Sequence, residues 1–492
     1  DKKVSEIIAI KYKPSLWSRY RGLITVVSIV VFTVLFLNFV FDFPAALTLT
    51  LTVQIVLFFT LFHRPVWAIA SIIVGQLTTS NYMLHLGGTE ISVRFIWTIM
   101  ALLLLVPVLR RREGIQLGIR VRRIVIPAAI FFGWSTITML INIDLSQMIE
   151  YLRTSATSIV LITLIPAAIK DEKDIKILAV VALITCVVSA IFALGQYYNY
   201  IGLPVPAYGL VDNLIVEGRV TGLSETPVEL GFNLPMVIIP ALSMFLLKGI
   251  NSRYKKILLF LSVILIWALY VTFTRSGIYS LIPGLLLLVF LMNDKHKKKY
   301  VLVMLFLIIV FFLIIGLTSS RYSQGFTSES SAAERLVLWQ AGLLVAHDNL
   351  LFGIGQDRFD EVSLEYASRI NPALMANLRS LLGRNVRGLG LYQPHNDFIN
   401  VWAAYGTVAI LAYLWVFTGI FRNFLESYRK SSSPFLKSLA LGCFGAVIAY
   451  IVNALTHNVM DSSQLLWIFA GLSIAATKLT LSRQVSKVKG TA

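Results

Sequence analysis

Long apolar runs, each closed by a short polar or charged segment, follow one another along most of this chain. Runs of about 16–22 residues with almost no charge are long enough to cross a bilayer core as helices, in which every backbone polar group is bonded internally. The runs are Gly22 to Phe41, Ala45 to Phe62, Val66 to Met83, Val93 to Leu109, Ile124 to Ile141, Thr154 to Ile169, Ile177 to Tyr198, Glu229 to Leu247, Ile257 to Thr274, Gly277 to Met292, Tyr300 to Leu317, Phe398 to Phe421, Leu439 to Leu455 and Gln464 to Leu479. The pattern therefore predicts an all-α, polytopic integral membrane protein of about fourteen transmembrane helices.

Two segments break the rhythm. One runs from about Asn199 to Val228; the other, some eighty residues long, runs from Thr318 to Asp397. Loops of that length are commonly functional. In the second, Ser330, Ser331 and Glu334 start an amphipathic helix through His347, the Gly353-Ile354-Gly355 turn follows, and a short helix is expected over about Pro372 to Leu382. The chain divides into a basic amphipathic leader (1–21), a membrane bundle (22–317), the large loop (318–397), the last membrane helices (398–480) and a basic tail (481–492). The leader carries no small-residue cleavage motif and reads as cytoplasmic.

Composition agrees with the spans: 57% of residues are hydrophobic and 14% charged, with a mean hydropathy of +0.78, which excludes a soluble globular class. The net charge of +18 needs a different explanation from nucleic-acid binding. Lys and Arg in short loops stay on the cytoplasmic side. With the spans walked alternately, 32 of the 43 basic residues, every lysine among them, fall inside. The eleven left outside are Arg94, Arg153, Arg219, Arg275, Arg321, Arg335, Arg358, Arg369, Arg379, Arg384 and Arg387. A guanidinium fork grips phosphate or carboxylate oxygens in pairs and stays charged when half-buried, so the set points to an anionic ligand at the outer surface. Taken singly, each arginine is better accounted for by pairing with one of the seventeen outer acids.

The two cysteines, Cys186 and Cys443, fall inside spans and read as packing residues. No Cys or His metal-ligand spacing, Walker loop or dinucleotide fingerprint is present, so neither metal nor cofactor is expected.

One segment carries candidate chemistry. Tyr392-Gln393-Pro394-His395-Asn396-Asp397-Phe398 ends the large loop and opens a span. Pro394 with Asn396 or Asp397 supplies start signals, which puts His395 at a helix N-terminus at the membrane surface. A helix N-terminus disfavours an imidazolium, leaving a neutral ring able to take a proton from a hydroxyl. The competing reading makes His395 an interfacial cap.

The spacing His395-Asn396, nine residues, Gly406 resembles the His-Asn-x9-Gly signature of the O-antigen ligase and polymerase family of membrane glycosyltransferases. Ala409 stands where that family has a small residue or tyrosine. Three further blocks resemble the family in order and spacing: Gly218-Arg219-Val220-Thr221-Gly222, Phe273-Thr274-Arg275-Ser276-Gly277, and Glu334-Arg335 with Trp339 followed by Phe352-Gly353-Ile354-Gly355. The likeness spans about Gly218 to Trp415.

That resemblance implies a GT-C-like fold and metal-free glycan transfer from a polyprenyl (undecaprenyl) pyrophosphate to a hydroxyl of a lipid or glycan acceptor. The site would lie on the periplasmic or extracellular face of a bacterial cytoplasmic membrane. Arg219 and Arg275 would hold the donor diphosphate, and His395 would act as base or orient the acceptor. Arg335, Asn396, Arg384 and Arg387 are accessory candidates, each with a structural alternative such as helix packing, capping or a solvated face. His457, beside Asn458 and Asp461 at an outer turn, has no partner pattern in the sequence. The rival class is a lipid-linked glycan flippase or other transporter, which would carry ionisable residues or broken helices near the midplane. Here charges gather at span ends. Ala409 and the lysine-rich inner surface tilt the reading toward polymerase over ligase.

Overall fold

The computed structural model describes residues 65–78, 83–86, 89–92, 119–142, 145–198, 219–224, 226–246, 251–292, 294–318, 329–356, 358–373 and 394–490, with 52, 54, 99, 100, 102 and 103. The first span, nearly all of the second and most of the fourth lie outside the described residues, as do Arg384 and Arg387 and most of the helix expected at Pro372 to Leu382.

The described chain is helical apart from one small hairpin. In order it forms α1 (Pro65–Gln76), β1 (Met83–Leu86), β2 (Thr89–Ser92), α2 (Ile119–Ile141), α3 (Leu145–Ala168), α4 (Glu172–Tyr198), α5 (Pro227–Leu246), α6 (Ser252–Val271), α7 (Arg275–Leu291) and α8 (Lys295–Thr318). There follow α9 (Glu329–Asp348), α10 (Phe359–Ile370), α11 (Asp397–Lys430), α12 (Pro434–Ala454), α13 (Val459–Ser462) and α14 (Leu465–Gly490). Boundaries follow local chemistry. Ser433 caps α12 by accepting from Leu436 N at 3.3 Å, with Pro434 in the first turn, and Asn251 caps α6 through Arg253 N at 3.0 Å.

Two features depart from the sequence reading. The span drawn from Val66 to Met83 stops as a helix at Gln76, and Met83 instead begins an antiparallel pair in which Leu86 lies opposite Thr89. Gly87-Gly88, a strong two-residue hairpin signal, outweighs the apolar run before it. Helix α10 was not anticipated: its apolar residues, among them Phe359, Val362, Tyr366 and Ile370, lie on one face packed against α9, but its average hydropathy is near neutral, so it does not stand out as an apolar run. Among the described residues seven helices, α2, α4, α5, α6, α11, α12 and α14, are long and apolar enough to cross a membrane, while α1, α7 and the Thr154–Ala168 part of α3 are shorter apolar helices. Because the first span, nearly all of the second and most of the fourth lie outside the described residues, this number covers only part of the fourteen crossings read from the sequence.

The bundle centres on α11 and α12. Helix α11 packs on α2, α12 and α14; α12 packs on α5 and α7; α6 joins α4 and α5; and α14 lies on α3. Phe131, Tyr413 and Trp467 are fully buried, with Phe131 ring centroids 5.5 Å from Tyr413 and 6.0 Å from Trp467. Buried polar groups cross-link the helices: Ser158 donates to Gln464 Oε1 at 2.6 Å, and Ser243 and Ser438 exchange hydroxyl-to-carbonyl bonds of 2.8 and 2.6 Å. The outward faces are apolar. Phe260, Val263 and Trp267 of α6, Phe290 of α7 and Phe306 and Leu307 of α8 are exposed, as a lipid-facing surface requires.

The two ends of the bundle differ in charge. At one end Glu426 receives Arg120 at 2.8 Å, Arg123 at 2.9 Å and Lys430 at 3.0 Å, and Glu172 meets Lys176 at 2.9 Å and Arg483 at 2.7 Å. Tyr428 donates to the Leu291 carbonyl at 3.0 Å, which brings the ends of α11 and α7 to that same side, next to Lys295, Lys298 and Lys299. The starts of α5, α7 and α11 lie at the other end, and with them Arg219, Arg275 and His395.

Candidate functional site

The arginine half of the site is built on a tight turn. Between α6 and α7, Phe273 takes a left-handed φ of +53°, and Thr272 and Thr274 stabilise the bend by a Thr274 N to Thr272 Oγ1 bond of 3.2 Å. Thr274 Oγ1 also donates to the Pro227 carbonyl at 2.9 Å, pinning the start of α5. Arg219 reaches this turn from the preceding loop. Its Nε donates to the Thr272 carbonyl at 3.0 Å and its Nη2 to Thr274 Oγ1 at 3.2 Å, so its guanidinium is attached one residue before Arg275. Arg275 is the first residue of α7 and is exposed, with Tyr279 one turn on within electrostatic reach.

Helix α4 holds the loop that carries Arg219. Gln196 Oε1 accepts from Thr221 N at 3.2 Å and Gly222 N at 2.9 Å, and Ser189 Oγ accepts from Leu223 N at 3.0 Å. Sequence reading missed both supports, since a glutamine and a serine inside an apolar span carry no motif. The hydroxyls of Thr221 and Ser276, two residues from Arg219 and one from Arg275, are buried without a hydrogen-bond partner among the described residues. Such groups are uncommon and mark places where a ligand or water supplies the missing bond.

The histidine half begins at α11. Asn396 is its N-cap, buried, accepting from Phe398 N at 3.0 Å and Ile399 N at 3.2 Å; this is a capping role, as one of the two sequence readings had it. His395 stands just before the cap with φ +47°, in a conformation that costs a non-glycine residue energy. Asp397, almost wholly buried, accepts from Met460 N with both carboxylate oxygens, at 3.1 and 3.0 Å. That bond ties the loop after α12 to the start of α11. It also commits Asp397 to structure and leaves it poorly placed to act as a base.

The signature glycine has a separate task. Helix α11 breaks at Gly406, where φ is +80° and ψ −178°. The freed backbone is paired with the loop after α9: Ile354 N donates to the Ala403 carbonyl at 3.0 Å, Gly355 N to Ala404 at 2.9 Å, and Thr407 N to Leu350 at 2.7 Å. Trp402 Nε1 donates to Thr407 Oγ1 at 3.1 Å across the break. A Cβ on Gly406 would stand 2.1 Å from the Leu351 oxygen, and one on Gly353 would stand 2.4 Å from the Ala404 carbonyl carbon. The glycines let the loop after α9 dock on α11, the helix that His395 directly precedes. Through this contact α9 packs on α11, with Gly342 against Ile399.

Docking of α9 brings Arg335 to the histidine. Burial, with the Arg335 charge added to it, pushes His395 down to about 4, and burial with Arg335, His395 and Arg219 pushes His457 down to about 3. The ring of His395 is therefore neutral at neutral pH, as expected. The main cause is burial beside a guanidinium. His457 is the residue that sequence reading left without a partner: its ring centroid lies 6.1 Å from that of His395 and 5.0 Å from that of Phe232. Arg335, His395, His457 and Arg219 thus share one electrostatic neighbourhood, with Arg275 on the same turn that anchors Arg219. Among the described residues no three His, Cys, Asp or Glu side chains converge as a metal site would require.

The helical bundle thus gathers arginines and two histidines at one end. Residues 260–414, about a third of the chain, match the family model described as O-Antigen ligase. The match bears out the resemblance read from the motifs and supports an O-antigen ligase and polymerase assignment. It contains Arg275, Arg335, His395 and Gly406; Arg219 and His457 lie outside it. No curated protein matches the chain.

Proposed function

We propose that this protein transfers a glycan from a polyprenyl-pyrophosphate donor to a hydroxyl on a glycan or lipid acceptor, as a surface-polysaccharide polymerase or ligase. The reaction takes place at the outer face of a bacterial cytoplasmic membrane, in a GT-C-like bundle of about fourteen spans. The observation that carries this reading is the meeting of Arg335, Arg219 and the neutral His395 at the bundle end away from the lysines.

The chemistry runs as follows. Arg275 and Arg219, fixed to one turn, grip the diphosphate, and the partnerless Thr221 and Ser276 hydroxyls offer it further donors. The acceptor oxygen attacks the anomeric carbon while the bond from that carbon to the diphosphate breaks with its electron pair. The acceptor proton passes to a ring nitrogen of His395. Fixed guanidinium charges stabilise the departing pyrophosphate, so no metal ion is required. A ring titrating near 4 is a weak base, and here the donor itself helps. Anionic diphosphate offsets the field of Arg335, which raises the affinity of His395 for a proton when the donor is in place.

Purified protein given a polyprenyl-pyrophosphate oligosaccharide and candidate acceptors, with EDTA present, tests the reading. Transfer of the intact glycan with release of polyprenyl pyrophosphate is expected. Activity that is lost in EDTA and restored by Mg²⁺ or Mn²⁺ would move the phosphate-binding role away from the arginines. Movement of the lipid-linked glycan across the bilayer without any new glycosidic bond would make the protein a flippase.

A further inference from the structure

We propose that His457 is a second acceptor-binding residue, forming with His395 a pair of imidazoles that holds one acceptor hydroxyl between them. This rests on the transferase reading above. The spacing suits the task. A hydroxyl oxygen that donates to one ring nitrogen and accepts from another, each at about 2.8 Å, needs the two nitrogens roughly 4.6 Å apart, which rings with centroids 6.1 Å apart can provide. A neutral imidazole carries one donor and one acceptor nitrogen, so the pair can offer the hydroxyl both bonds.

The placement of His457 is built rather than incidental. Its ring is packed against Phe232 of α5, and its loop is fastened three residues later by both oxygens of Asp397, which itself follows His395 by two residues. Asn396 fixes the start of α11 from the other side. The sequence His395-Asn396-Asp397 therefore sets both histidines: Asn396 caps its own helix and Asp397 caps the turn that bears the second ring. Both rings are half-buried and neither imidazole is hydrogen-bonded to the described residues, so a ligand hydroxyl can reach them and supply both bonds.

In the transfer step the acceptor O–H donates to His395 and receives a bond from the N–H of His457. As the oxygen bonds to the anomeric carbon, its proton moves to His395, the diphosphate leaves with its electron pair, and the hydrogen bond from His457 keeps the oxygen aligned. Asp397 is a positioning residue in this scheme, and His457 contacts the substrate.

The test compares wild type with His457→Phe, His457→Gln and His457→Ala in lipid nanodiscs, measuring transfer kinetics against acceptor concentration and, separately, binding of polyprenyl pyrophosphate. His457→Phe keeps an aromatic ring on Phe232 and loses both hydrogen-bonding atoms, so it isolates the chemistry from the packing. Expected are an acceptor KM raised on the order of 10-fold in His457→Phe and His457→Ala, unchanged donor binding, and recovery of most of the loss in His457→Gln, whose amide both donates and accepts. A folded His457→Phe protein with wild-type acceptor KM overturns the proposal, and so does a variant whose only defect is donor binding. If wild type itself forms no glycosidic bond with any acceptor, the transferase reading fails and this one falls with it; a working wild type beside a normal His457→Phe sinks the histidine pair alone.

Discussion

Replacing Gly406 by alanine should separate the outer loop from the membrane bundle and stop catalysis without unfolding the protein. The backbone there, at φ +80° and ψ −178°, lies in a region essentially reserved for glycine, and a side chain forced into it costs about 1–3 kcal/mol. The added Cβ would also meet the Leu351 oxygen at 2.1 Å, its carbonyl carbon at 2.5 Å and Phe352 N at 2.9 Å, all of them backbone atoms that cannot rotate aside. Relief requires the 350–355 loop to lift, giving up the Ile354, Gly355 and Thr407 bonds, each worth about 1 kcal/mol net. The combined loss, about 4–6 kcal/mol, is comparable with the stability of a small domain but acts on one docking contact. Hydrogen exchange at Ile354, Gly355 and Thr407 should quicken by up to roughly 10³- to 10⁴-fold while the amides of α12 and the core of α14 stay protected. Transfer should fall at least about 100-fold, because α9 withdraws Arg335 from the histidines. Gly353→Ala, whose Cβ would press on the Ala404 carbonyl, should behave alike. Wild-type exchange and wild-type turnover in Gly406→Ala would show that the break is not what docks the loop.

Three further outcomes are expected. Arg275→Ala and Arg219→Ala should weaken donor binding and transfer together, and Arg275→Lys should rescue poorly because a point charge does not reproduce the fork; near-normal turnover of Arg275→Lys in a kinetic assay would refute this. His395→Ala should bind donor yet transfer roughly 10²- to 10⁴-fold more slowly, and His395→Gln tells base from positioning group, since near-normal rates with Gln would leave only positioning. The base must be unprotonated, so kcat/KM should hold steady as pH falls from 8 and drop only near pH 4–5. In Arg335→Gln that limb should move up toward the ordinary histidine value of 6.5, and the wild-type kcat limb should lie above its kcat/KM limb because bound donor offsets the arginines; pH–rate profiles that leave the limb unmoved in Arg335→Gln would remove Arg335 from the field at His395.

Much of the membrane architecture is legible in the sequence because span length and the positions of charge are local properties. The expected spans Glu229 to Leu247 and Gln464 to Leu479 fall inside or within two residues of α5 and α14, and the start of α11 follows from Pro394 and Asn396. The amphipathic stretch after Ser330 is likewise found as α9. What stays hidden depends on pairings far apart in the chain. Arg335 looks like any arginine on an amphipathic helix until Gly353 and Gly406 dock that helix. His457 has no motif, and only Asp397 reaching Met460, 63 residues away, gives it a neighbour. Gly406 is visible as a spaced glycine, but its reason, a backbone pairing between a loop and a broken helix, exists only in three dimensions. The roles of Gln196 and Ser189 are hidden for the same cause.

The break in α11 also divides the molecule into exchangeable parts. Before Gly406, residues 397–405 are held by the loop, by Met460 and by the rings of Phe398 on Tyr413 and Tyr405 on Phe131; after it, residues 407–430 are held by α2 through Arg120, Arg123 and Glu426 and by α14 through Thr477. A laboratory swap that takes the large loop together with residues 394–405 from another member of such a family has its backbone seam at one glycine and must match only the ring contacts of Phe398 and Tyr405 to the membrane helices. The loop and the start of α11 could then be exchanged as a cassette that ends at Gly406, while His457 stays with the host.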